Sequence, residues 1–158
     1  MAIINYSVCF FGHRDFDKHY LFEEDITRII ENALRQNEVT EFLVGRNGEF
    51  DQFVSSVIRR VKNEKGSQGI YHVLVLPYAT SEYINNQEAF EKYYDDIEIC
   101  EKAASSHYKA AIQIRNKEMI DRSELVVCYV ERNSGGAYYA LEYARKTNKQ
   151  IIILNDRD

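Results

Sequence analysis

The segment VVCYVERNSGGAYYALEYA, residues 126–144, sets the architecture of the chain. It begins as an apolar run of strand length, breaks at Gly135 and Gly136, and resumes with Ala137, Ala140, Leu141 and Ala144 at helical spacing. A strand, a glycine turn and a helix make half of a βαβ crossover, and a stripe of small residues suits close packing of that helix on a sheet. The same alternation extends outward. Tyr6–Phe11, Glu41–Val44, Ile70–Leu76, Leu125–Val130 and Gln150–Leu154 are short and mostly apolar on both faces, as strands covered by helices on both sides are. Between them Phe22, Ile26, Ile29, Ile30 and Ala33 recur at helical spacing, as do Phe50, Phe53, Val54, Val57, Ile58 and Val61. A third helix is predicted over Tyr108–Asp121. The expected fold is α/β: a Rossmann-like three-layer α/β/α arrangement around a mainly parallel five-stranded sheet, in the order 3-2-1-4-5.

Pro77–His107 interrupts the pattern. It follows the only proline and is rich in tyrosine, asparagine and acidic residues. It is read as an insertion or lid over the sheet edge, helical in part between Glu88 and Ala104. The whole chain, 158 residues at 45% hydrophobic composition, is long enough for one sizeable core, and a single domain over 1–158 is expected. No apolar run reaches the roughly 18 residues that a bilayer span needs, and the N-terminus enters a strand without a basic leader or small-residue cleavage site. A cytoplasmic protein with no membrane partner is expected. Cys9, Cys100 and Cys128 are widely spaced, with no CxxC or HxxxH pair, so they read as buried reduced thiols and no metal site is expected.

The formal net charge of −5 weighs against broad contact with nucleic acid, which is therefore not expected as a partner. Local charge is a separate matter. Pro77–His107 carries Glu82, Glu88, Glu91, Asp95, Asp96, Glu98 and Glu101 against Lys92 and Lys102, which leaves the remainder nearly neutral and able to hold a small basic pocket.

In an open parallel sheet the ligand site lies beyond the carboxyl ends of the strands. The loops that follow the first, second and fourth runs are GHRDFD, GRNGEFD and ERNSGG. Each brings glycine and one arginine: Gly12 with Arg14, Gly45 and Gly48 with Arg46, and Gly135 and Gly136 with Arg132. Glycine turns that feed helices present unpaired N–H groups and the positive end of a helix dipole, and guanidinium forks match phosphate oxygens. An anion site is therefore expected on this rim. His13 is placed to contact ligand or assist proton transfer, or else to brace the turn. Glu142 lies seven residues beyond Gly135, on the same helical face as Tyr138, and reads either as a base or hydroxyl ligand or as a salt-bridge partner. Arg115 and Asn116 supply a candidate opposite wall. Tyr138 is placed to stack a ring or bond a phosphate, or is simply a helix-surface tyrosine. Asp51 reads as a residue that caps the second helix or complements its dipole, rather than one that touches ligand. His19, His72 and His107 read as structural.

The order and spacing of FFGHRDF, FLVGRNGEFD, HYKAAIQIRNKEMIDRSELVV and GGAYYALEYA resemble the SLOG superfamily, specifically its YpsA-type branch, over nearly the whole chain. That superfamily includes the LOG phosphoribohydrolases, which cleave the N-glycosidic bond of nucleoside monophosphates, and relatives that bind nucleotides, ADP-ribose-like signals or DNA. The resemblance implies a Rossmann-like sheet, a nucleotide-like ligand and a homodimer. Gly45 and Gly48 fall on the GGxxGxM motif of LOG enzymes, Gly135, Gly136 and Glu142 on PGGxGTxxE, and Arg115 with Met119 on RKxxM. By similarity, Arg115 and Glu142 are the catalytic candidates. The chain departs from the pattern where Tyr138 and Tyr139 replace the small GT pair, Ser134 replaces proline, and Asn47, Glu49 and Phe50 leave the first motif. Glu49 sets a negative charge beside the presumed phosphate cradle. The expected function is binding of a nucleotide or nucleotide-derived signalling ligand at the carboxyl edge, with no cofactor. The alternative is hydrolysis of a nucleoside 5′-monophosphate, in which Glu142 activates water and Arg115 orients substrate.

Overall fold

The computed structural model describes residues 3–155. In chain order its elements are β1 Tyr6–Phe11, α1 His19–Gln36, β2 Thr40–Val44, α2 Glu49–Lys65, β3 Ile70–Leu76, α3 Ser81–Asn85, α4 Gln87–Tyr93, β4 Asp96–Ile99, α5 Glu101–Ala104, α6 Tyr108–Arg122, β5 Leu125–Cys128, α7 Gly136–Lys146 and β6 Gln150–Ile153. The strands form one sheet, ordered β4-β3-β2-β1-β5-β6, with every neighbouring pair parallel. The chain thus winds outward from β1 in one direction through β4, then returns to place β5 and β6 on the other side. Strand order reverses between β1 and β5.

The Rossmann-like class stands, and the strand count is corrected from five to six. The five expected strands keep their predicted order, and the extra strand, β4, arises inside Pro77–His107 and pairs with β3 at the sheet edge. Its sequence, DIEI, conceals it: an edge strand needs no two-sided apolar pattern, and here Asp96 and Ile99 are exposed.

Alternation along β1 divides the core between two helical layers. Val8 and Phe10 join Ile26 and Ile30 of α1 and Phe50, Val54 and Ile58 of α2. Cys9 and Phe11 face the other way, onto Met119 and Ile120 of α6 and Ala140, Leu141 and Ala144 of α7. Each fully buried large side chain contributes about 1.5–3 kcal/mol. All three cysteines are unpaired and buried, and burial pushes the Cys9 thiol up to about 12. Among the described residues, no helix is long and apolar enough to cross a membrane.

Two polar arrangements brace this frame. At the end of α6, Arg122 donates to both oxygens of Glu41 at 2.7 and 2.8 Å and to both oxygens of Glu98 at 2.6 and 2.8 Å, which ties the helix to β2 and β4. The Ser7 hydroxyl adds a bond to Glu41 Oε2 at 2.6 Å. On the opposite layer, buried His72 meets the Ser55 hydroxyl through Nε2 at 2.9 Å, while its Nδ1 has no partner. Burial pushes the His72 pKa down to about 3, so the ring is neutral.

Candidate functional site

A cleft of about 360 Å³ opens at the carboxyl edge, where strand order reverses. The loops after β1, β2 and β5 form its rim, and the flank of α6 forms its wall. Gly12, His13, Arg14, Gly45, Arg115, Asn116, Arg132, Gly135 and Gly136 all border it. Nine of the residues singled out from sequence therefore come together.

Close packing of loops makes this possible. A Cβ on Gly12 would stand 2.2–2.7 Å from the ring of Phe50, so only glycine lets the chain pass over that aromatic. The next layer down is aromatic too: Phe16 lies edge-on to both Phe50 and Tyr129, at 5.2 and 5.0 Å. The β1 and β2 loops are then joined by hydrogen bonds. Glu49 N–H donates to the Arg14 carbonyl at 2.8 Å, and Phe16 N–H donates to Glu49 Oε2 at 2.8 Å. Glu49 is thereby turned to bracing the loop. Gly48 packs directly on the Arg14 backbone and supports the rim from outside.

The β1 and β5 loops are joined by His13. Its Nε2 lies 2.8 Å from Glu131 N, and since a backbone amide donates, Nε2 accepts and the ring proton sits on Nδ1. His13 is only 8% exposed; burial and neighbouring Arg132 lower its pKa, with Glu131 opposing, which favours this neutral form. Its Nδ1–H makes no hydrogen bond to a described residue. Beyond Glu131 the chain reaches Gly135, whose φ of 95° lies in the left-handed region, and α7 starts at Gly136 with no side chain capping its first turn. Nothing stands within 4 Å of a Cβ added at either glycine, so the helix start is open to the cleft. Arg14 and Arg132 flank it, both exposed.

The wall holds the most unusual group. Arg115 is 2% exposed, donates Nη1–H to the Val75 carbonyl at 2.7 Å and Nε–H to Asn116 Oδ1 at 2.9 Å. Among the described residues it makes no ion pair, and its Nη2 makes no hydrogen bond. Burial lowers its pKa, opposed chiefly by the charge of Asp51. Asn116, with its oxygen engaged, keeps both amide N–H donors for the cleft. A guanidinium withdrawn from water without a contacting carboxylate is costly, and an anionic ligand relieves that cost. Asp15 of the β1 loop and Asp51 of α2 bring carboxylates to the cleft. Asp51 Oδ2 accepts the Asn47 N–H at 2.9 Å, and burial raises the Asp51 pKa while that bond and Arg115 pull it back. The expected place of Asp51, in the first turn of α2, is also a place at the cleft.

Four singled-out residues lie elsewhere or behind the rim. Gly48 supports it, as above. Arg46 turns away, donating to both oxygens of Glu82 at 3.0 and 3.2 Å and to the Tyr94 hydroxyl at 2.9 Å, with its guanidinium 4.7 Å over the Phe90 ring. It clamps α3 and α4 to the sheet. Glu142 is exposed, pairs with Arg145 at 3.2 Å and borders a separate shallow depression with Lys117 and Tyr139. The Ala137, Ala140, Leu141 and Ala144 stripe fixes the rotation of α7 and carries Glu142 out of the cleft. Tyr138 is half-buried and lies edge-on to exposed Tyr139 at 5.7 Å, outside the cleft. Among the described residues no cluster of three or more His, Cys, Asp or Glu is placed to hold a metal ion.

No protein-family model matches the chain, and no curated protein matches it. Among solved structures, it is similar to DNA processing protein A from Helicobacter pylori at a TM-score of 0.65 and 14% sequence identity, covering 98% of this chain and 67% of that one. That degree of likeness establishes the fold. The structure of that protein addresses its binding of single-stranded DNA. The expectation that net charge removes nucleic acid from the possible partners is therefore corrected. Net charge is a sum over the whole surface and does not decide whether local donors can grip a strand.

Proposed function

We propose that the cleft binds the phosphate-bearing part of a nucleotide or nucleotide-derived ligand. The observation that carries this reading is Arg115, almost wholly buried on the cleft wall with an N–H group free, lining the same cleft as the uncapped start of α7. Exposed Arg14 and Arg132 supply the attraction at the mouth. The motif-level resemblance to the SLOG superfamily, in its YpsA-type branch, supports the same reading and a cytoplasmic location. Binding is proposed without turnover, because Glu142 is paired with Arg145 outside the cleft. A second reading, supported by the similarity to a protein that binds single-stranded DNA, is that the nucleotide belongs to a strand whose backbone crosses the same rim.

Calorimetric titration with inorganic phosphate, AMP, ADP-ribose and a single-stranded oligonucleotide tests both. Binding of the mononucleotides that Arg14→Ala weakens supports the first reading. Binding of the oligonucleotide alone, with a steep dependence on salt, supports the second. Indifference to all four removes both.

A further inference from the structure

The outer face of α6 and α7 carries a patch that the cleft does not use. Its shallow depression is bordered by Lys117, Arg145 and Lys146, by Tyr139 and Tyr143, and by one carboxylate, Glu142, which Arg145 engages at 3.2 Å. The nearby Asp121 carboxylate accepts the Tyr143 hydroxyl at 2.6 Å. Lys117 and Lys146 are exposed and make no ion pair among the described residues, so a chain of net charge −5 keeps two uncompensated cations here. Beside them the Tyr139 side chain is 51% exposed. A ring left in water adds little to the stability of the fold, and α7 is held to the sheet by Ala140, Leu141 and Ala144 instead.

This patch adjoins the cleft. A narrow fissure between the two helices is lined by Asn116 and Gly136, which also border the cleft, and by Gln113, Lys117 and Tyr139, which also border the depression. From Gly136 to Lys146, α7 advances about 15 Å at roughly 1.5 Å per residue. That length is about four steps of a stacked strand at roughly 3.4 Å each. A single nucleotide with its phosphate at the start of α7 stops short of Lys146, whereas a short strand reaches it. Unpaired ammonium groups beside a bare aromatic ring suit a chain in which phosphates and flat bases alternate, because every base has a face to stack. An acidic peptide would answer the lysines and leave the ring unused. Resting on the anion site proposed above, we infer that the groove between α6 and α7 is a second binding site, a stacking track on which a single nucleic-acid strand continues beyond the cleft. Tyr139 stacks a base, and Lys117 and Lys146 hold the flanking phosphates.

Calorimetric titration of the full chain with thymidine 5′-monophosphate and with oligothymidylates of two, four and eight nucleotides tests the track. Affinity is expected to rise at least tenfold between one nucleotide and four, and little further. Tyr139→Ala should weaken the tetramer about tenfold, in line with the loss of one stacked base, and leave the monophosphate unchanged. Tyr139→Phe, which keeps a ring, should bind as the wild type does. A four-unit abasic strand, with the same phosphates, should not distinguish Tyr139→Ala from the wild type. Lys117→Ala combined with Lys146→Ala should make the salt dependence of tetramer binding shallower by about 1.4 in logarithmic slope. Equal affinity for the monophosphate and the tetramer overturns the track and leaves the rim standing. A length dependence that survives all these substitutions carries the strand over another face and also overturns it, as does an abasic strand that binds as tightly as the tetramer. Binding confined to the longer strands and weakened by the substitutions keeps the track and removes the mononucleotide reading of the rim. No binding of any of these ligands removes rim and track together.

Discussion

Arg115 and Arg122 leave the same helix, seven residues apart, and meet opposite surroundings. Arg122 spends four of its five N–H groups on carboxylates: both Glu41 and Glu98 are engaged through both oxygens, and its position across β2 and β4 is that of a structural clasp. Arg115 is more deeply buried yet donates only to a carbonyl and an amide oxygen, with N–H groups left facing the cleft. The difference teaches that burial of a charge does not by itself mark a functional site. What marks it is hydrogen-bonding capacity that the fold leaves unused at an opening.

The largest effect should come from removing the clasp. Arg122→Met strands Glu41, a carboxylate only 5% exposed, with the Ser7 hydroxyl as its remaining bond. The expected loss is about 2–3 kcal/mol in urea denaturation, reduced from the fully buried case because Arg122 is partly in solvent. Phosphate affinity should stay as it is. A destabilisation below about 0.5 kcal/mol would break the contrast from the structural side.

His72 sharpens it, because here an unused polar atom has no opening. The native ring resists protonation, so the unfolded chain binds more protons below the ordinary histidine value of about 6.5. Its contribution is full above that pH and is lost as pH falls towards about 3. Between pH 6.5 and 5 the expected loss is about 2 kcal/mol from this one group. His72→Phe should flatten that part of a stability–pH curve, measured by denaturant midpoints, and an unaltered slope would show that the ring is not sealed.

Arg115→Met is expected to weaken inorganic phosphate binding about tenfold or more while changing stability by less than about 1 kcal/mol, since removal of an unpaired buried charge offsets the loss of two hydrogen bonds. A large destabilisation with intact binding would make Arg115 a second clasp. The smallest effect belongs to Arg46→Met. Loss of its partly exposed pairing with Glu82 and its contact with Phe90 should cost about 0.5–1 kcal/mol and leave phosphate affinity within about twofold, as titration of the variant would report.

The fold was legible wherever burial is two-sided. β1, β2, β3, β5 and β6 are mostly apolar because helices cover both faces, and their order followed. β4 was not legible: its acidic residues face solvent or Arg122, and its pairing with β3 is a main-chain matter. At the carboxyl edge, the loops that carry glycine and arginine after strand ends border one cleft, because parallel topology forces those loops together. Sequence could not tell Arg14 from Arg46, since the direction of a long side chain depends on partners such as Glu82 and Tyr94 that lie distant along the chain. Of the two readings of Glu142, the salt-bridge partner is the one the structure shows, with Arg145. A seven-residue interval puts it on one face with Gly135, but the packing stripe decides which way that face looks.

The seam between β1 and β5 carries a kinetic consequence. Neighbouring groups across it, such as the Ser7 N–H and Glu124, are 117 positions apart in the chain. Such a pairing closes a long loop and comes late and slowly in assembly. A cleft built across that seam is complete only once the seam has closed, and a ligand bound as proposed would oppose its opening by mass action.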